Sequence, residues 1–147
     1  MKSSTIMAVA LGLGVAGAGI YLLSKAKKTT QNIILNNPVV QYVWDEDLPA
    51  VNLIANSLGC PAIKTETRDP LYGYTEWILI GGQISNPVYT LMMSDTTPQL
   101  PVITETTSNY SIATSSIGTR IYGIAGWEID DTLSIANKFI MDYQNQG

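Results

Sequence analysis

The chain has 147 residues, a net charge of −4 and 14% charged side chains, against roughly 25% in a typical soluble domain. It has no histidine and a single cysteine, Cys60. These counts exclude Ser-His and Cys-His catalytic dyads, histidine-ligated metals, an intrachain disulfide and a cysteine-based zinc site. Basic residues after Lys28 are scattered at Lys64, Arg68, Arg120 and Lys138, so no nucleic-acid partner is expected.

The first predicted element is Thr5 to Leu23, an uncharged run with Lys2 before it and Lys25, Lys27 and Lys28 behind. Its length matches the about 20 apolar residues that cross a bilayer as a helix. The run contains GLGVAG, Gly12 to Gly17, which has the spacing of a dinucleotide-binding fingerprint. That fingerprint needs a preceding strand and an acid about 20 residues later, and KTTQNIILNNPVV supplies no acid. Gly12, Gly14, Gly17 and Gly19 are therefore read as small residues on a membrane helix, where they permit close helix approach. A cleaved signal peptide is the competing reading, but its small-residue cleavage site would fall inside the apolar run. The lysines after the span marginally favour a cytoplasmic C-terminal side. Residues 1–28 are expected to form the anchor with its basic flank, and residues 29–38 a polar stalk ending at Asn37-Pro38.

Residues 39–147 are expected to form one α/β domain. Val39 to Trp44 reads as a strand of β-branched and aromatic residues. Asp45, Glu46 and Asp47 lead into a helix with Leu48, Val51, Ala55 and Leu58 on one face, closed by Gly59 as a C-cap. Cys60 then reads as a small apolar residue at a helix end. Trp77 to Ile80 has the unbroken apolar pattern of a strand buried on both faces. After Gly81-Gly82, Asn86 makes an N-cap and Pro87 a first helical residue for a helix over Val88 to Met93.

The stretch 96–118 alternates β-branched residues, which predicts a hairpin or edge strands, with Pro98 and Pro101 excluding a central position. Within it, Asn109-Tyr110-Ser111 is a sequon, making Asn109 a candidate glycosylation site. Arg120 to Ala125 reads as a third strong strand. Asp130 to Tyr143 reads as a helix with Leu133, Ala136, Phe139, Ile140 and Tyr143 on its apolar side and two acids in its first turn. Repeated β-then-α units predict a small three-layer α/β domain on a mainly parallel sheet, behind an N-terminal transmembrane helix.

In such a sheet the carboxyl ends of the strands share one edge, the usual place for ligands. That edge is expected to gather Trp44, Asp45, Glu46, Asp47, Gly81, Gly82, Asn86, Gly126, Trp127, Glu128, Asp130 and Asp131. Asp45, Asp47, Glu128, Asp130 and Asp131 form a candidate calcium edge, since calcium takes six to eight oxygens. Alternatively the acids start helices and solubilise the edge, or Gly81-Gly82 presents backbone N–H groups to an anion. No other cofactor and no catalytic residue is predicted. A glycosidase would need a deep cleft between two acids, and every acid here sits at a helix start.

WILIGGQISNP, Trp77 to Pro87, and TRIYGIAGWEIDDTLSIA, Thr119 to Ala136, resemble the S-layer-type surface domains of archaea. The matching positions are Gly81, Gly82 and Asn86, then Ala125, Gly126, Asp131, Thr132 and Ala136, with Gln83 where the family usually has proline. The resemblance covers about half of the predicted domain. It implies a non-catalytic cell-surface role, compatible with a viral envelope protein built on the same domain. It also implies that the domain lies outside, with itself or other envelope proteins as partners beside the lipid bilayer.

Overall fold

Glu76–Ile80 (β3) is buried along its whole length and forms the centre of the fold in a computed structural model that describes residues 32–146. The anchor expected over Thr5 to Leu23, with Gly12, Gly14, Gly17 and Gly19, lies outside the described residues. No helix among the described residues is long and apolar enough to cross a membrane.

In chain order the other elements are β1 (Pro38–Tyr42), α1 (Leu48–Leu58) and β2 (Ala62–Lys64), all before β3. After β3 come α2 (Pro87–Met92), β4 (Thr96–Thr97), β5 (Ser111–Ser115), β6 (Arg120–Ile124) and α3 (Ile129–Asn145). The result is a mixed α/β domain around a six-stranded sheet in the order β2-β1-β3-β6-β5-β4 among the described residues. The four strands from β2 to β6 pair in parallel, and β5 and β4 add antiparallel.

Strand residues alternate between two cores, as a period of two requires. Val40, Ile78, Ile80, Tyr122 and Ile124 face α1 and α3. Val39, Trp77, Leu79, Ile121 and Ala113 face α2 together with Leu71, Leu100 and Ile103 from connecting segments. Each large side chain removed from water in this way contributes about 1.5–3 kcal/mol. Trp77 keeps its indole N–H satisfied by donating to Leu71 O at 2.9 Å.

The three strong predicted strands and all three helices are present. The buried stripe of α3 is Thr132, Ile135, Ala136, Phe139 and Ile140, while Leu133 and Tyr143 lie at its margin. Gly59 closes α1 in the left-handed conformation at φ 65°. Cys60 is half-buried, and burial pushes its thiol up, away from the reactive thiolate. Within 96–118 the hairpin partner of β6 is β5, an inner strand, while Pro98 and Pro101 fall in the connection from β4. Strand β2 has no sequence signal of its own: three residues of exposed-intermediate-exposed pattern on the sheet edge.

The segment expected to be a stalk over residues 29–38 joins the domain from Ile33 onward. Ile33 is buried, its N–H donates to Gln146 Oε1 at 3.0 Å, and Gln146 Nε2 donates to its carbonyl. The Ile34 N–H donates to the Tyr122 hydroxyl at 2.8 Å. Asn36 and Asn37 N–H groups donate to the buried Glu76 carboxylate at 2.7 and 3.0 Å. Polar composition hid this docking, because the anchoring partners lie on β3, β6 and the end of α3.

Candidate functional site

The chain leaves β1 toward α1 on one face of the sheet and leaves the adjacent β3 toward α2 on the other. Where neighbouring strands diverge in this way, their carboxyl-end loops part and leave a crevice, the favoured ligand position in open α/β sheets. A cavity of about 200 Å³ lies there, lined by Trp44, Gly82, Gln83, Ile84, Ser85, Ile103, Gly126 and Trp127. Trp44 follows β1, residues 82–85 follow β3, and Gly126 and Trp127 follow β6. Both tryptophans are about half exposed, Ile84 is 75% exposed and Val102, next to Ile103, is 59% exposed. The two tryptophan-plus-acid segments thus occupy equivalent β-to-α turns and meet across one cavity.

The cavity wall is set by the glycine–glycine–asparagine segment. Gly81 stands at φ 99°, a conformation that glycine adopts without strain. Asn86 is fully buried and accepts from the N–H groups of Val88 and Tyr89, capping α2 as predicted. Those bonds occupy the helix N–H groups that an anion would need. Gln83 turns its amide onto the connecting segment: the Ile103 N–H donates to Oε1 at 2.9 Å, and Nε2 donates to Ile103 O at 3.0 Å. This clamp holds Ile103 in the cavity wall.

The acids take separate duties. Asp45 pairs with Lys64 at 2.8 Å. Asp131 accepts from the Glu128 N–H at 3.2 Å while Glu128 reciprocates at the start of α3, a capping box. Asp130 is exposed in the first turn of α3. Among the described residues no three side chains of metal-ligating type converge, so Asp45, Asp47, Glu128, Asp130 and Asp131 share an edge without forming a metal cage.

Asp47 stands apart. It is 5% exposed, does not cap α1, and has its carboxyl held above the usual range by burial and then by Glu46. A folded pKa above the unfolded one means that the native state binds the proton more tightly. Stability is therefore fully favoured below the unfolded value of 3.8 and falls as pH rises through the raised folded value. Asp47→Asn should raise the melting temperature at neutral pH, and the gain should disappear in melts below that unfolded value. A loss of stability at neutral pH would instead show that the carboxylate holds a cation or a hydrogen-bond donor.

Neither a known protein family nor a curated relative matches the chain.

Proposed function

We propose that the chain is a single-pass, membrane-anchored cell-surface or envelope protein, S-layer-like or virion-borne. Its small three-layer α/β domain serves assembly or attachment without catalysis. The observation that carries this reading is the pair Trp44 and Trp127, each about half exposed beside one cavity with Ile84 and Val102 close by. Tryptophan is enriched at interaction hot spots, and a monomer gains nothing from leaving large apolar groups clustered in water. The cavity is smaller than the about 300–1,000 Å³ of small-molecule sites, which suits a single inserted group better than an extended substrate.

Protease shaving of intact cells or particles tests the side of the membrane. Cleavage of the domain without permeabilisation supports the outer face, and protection overturns it. The anchor over Thr5 to Leu23 has its own expected result. The chain stays with membranes through high-salt washing and leaves only with detergent, because apolar burial is indifferent to screening. Release by salt or alkaline carbonate would remove the anchor.

Asn109 is exposed, and only its side-chain carbonyl is engaged, by the Tyr110 N–H at 2.9 Å. In a glycosylating host, with the domain outside, Asn109 carries glycan; an unmodified peptide in mass spectrometry of native material refutes this.

The buried Asp47 favours one second reading, a membrane-tethered ligand-binding or hydrolytic domain that uses the acidic edge. Melting with calcium and with EDTA separates its calcium form, since a ligand of the native state raises the melting temperature with concentration. Turnover of a hydrolase substrate that depends on Asp45, Glu46, Asp47, Glu128, Asp130 or Asp131 would establish its catalytic form.

A further inference from the structure

We infer that the cavity between Trp44 and Trp127 receives an arginine side chain of a partner protein. This inference rests on the assembly reading and adds the chemistry of the inserted group. Three observations converge on it. The loops that carry the cavity wall, residues 44–47, 81–86 and 125–131, hold six carboxylates and no lysine or arginine. Lys64, at the end of β2, is paired with Asp45. An incoming cation therefore meets a negative field, and an anionic group is repelled.

The aromatic pair supplies the second argument. A guanidinium against an indole face gains about 0.5–2 kcal/mol, depending on how far it is desolvated. Arginine also carries an apolar stem that can lie over Ile84 and Ile103, while its charged head takes up the negative field of the surrounding loops, to which the exposed Glu46 and Asp130 contribute. A purely aliphatic side chain would use the isoleucines and draw nothing from the negative field of the loops.

The third argument disfavours a sugar. Sugar rings stack on tryptophan but need side-chain groups to hold their hydroxyls. Of the lining side chains, Gln83 is committed at both ends to Ile103, which leaves Ser85 and the two indole N–H donors, with Ser85 the one side-chain oxygen free to accept from a sugar hydroxyl.

The chain contains three tryptophans, and the third is buried Trp77, so indole N–H resonances give a built-in control. The test uses the full chain labelled with ¹⁵N-tryptophan in a non-ionic detergent, because choline head groups would compete. It is titrated with N-acetylarginine methylamide, its neutral isostere N-acetylcitrulline methylamide, and N-acetylglucosamine. The expected result is saturable movement of the Trp44 and Trp127 signals with the arginine probe and a fixed Trp77 signal. Binding should be about tenfold weaker for the citrulline probe, the ratio expected of a partly desolvated cation–π contact. Glu46→Gln with Asp130→Asn, both at exposed sites, should weaken the arginine probe and leave the citrulline probe unchanged.

Equal binding of the two probes, stronger binding of the sugar, or no movement with any probe would overturn the inference. Self-association is read separately by crosslinking. If Trp127→Ala abolishes crosslinking while no probe binds, the assembly reading stands and the arginine inference fails. If the arginine probe binds and crosslinking never occurs, the site is real, self-association through it is lost, and attachment to a different protein is what stands.

Discussion

Asn86→Ala should cost the domain about 3–5 kcal/mol, roughly 15 °C in melting temperature for a domain of this size. Asn86 is 0% exposed and makes five hydrogen bonds through one small side chain. Its carbonyl caps α2 by accepting from Val88 and Tyr89 and also accepts from Gln41 Nε2 at 3.0 Å. Its amide donates to Gln41 Oε1 at 2.7 Å and to Ile80 O at 2.8 Å. Alanine removes the cap, worth about 1 kcal/mol, and strands polar groups that water cannot reach, at about 1–3 kcal/mol each. The partner Gln41 is also 0% exposed and keeps only its bond to Thr65 O at 2.8 Å.

A double-mutant cycle separates the two contributions. Gln41→Leu removes the group that Asn86→Ala orphans, so the double variant should lose less than the sum of the singles. If the losses simply add, Asn86 acts as a helix cap alone and the buried amide pair contributes nothing. Denaturant melts followed by circular dichroism read the difference. Because Asn86 joins β1, β3 and α2 beneath the cavity, the variant should also loosen the wall that carries Ser85.

What was legible in the sequence follows from how local each signal is. The unbroken run Trp77 to Ile80 and the Asn-Pro start of α2 report contacts within a few residues, and both appear where expected. Strand β2 was illegible because a short edge strand with alternating exposure lacks the apolar content that marks a buried one. The docking of Ile33 and Ile34 was illegible for another reason. Their partners Gln146 and Tyr122 lie 113 and 88 positions away, and nothing in Asn32 to Pro38 encodes them. The edge itself follows from strand direction, which is why Trp44, Gly82, Gly126 and Trp127 group together from sequence alone. The sequence patterns did not distinguish Asp47 from its neighbours, because burial of one acid among six depends on how α1 and α3 pack above it.

Gly126→Ala should destabilise the domain by about 3 kcal/mol, at the upper end of the overpacking range, although alanine suits the local backbone of most loops. A methyl group at Gly126 would overlap Asp131 Cβ and stand 2.7 Å from the Asp131 carbonyl carbon and 2.9 Å from the Thr132 nitrogen. Two of these obstacles are main-chain atoms in the first turn of α3, so no side-chain rotation relieves them. The same approach lets the Gly126 N–H donate to the Thr132 hydroxyl at 3.0 Å, and Thr132 is 3% exposed. This explains physically why Ala-Gly precedes Asp-Thr here: the glycine admits the helix, and the threonine satisfies the glycine's backbone. Thr132→Val, which keeps the shape and removes the hydroxyl, should cost less, about 1 kcal/mol, for one part-buried N–H left without its partner. The two variants also differ at the cavity. Pushing α3 away displaces Trp127, so Gly126→Ala should change the emission of an exposed tryptophan, whereas Thr132→Val should leave it in place. Equal stability of Gly126→Ala and the parent would mean that α3 yields without cost and that its contact with the β6 loop does not fix the cavity.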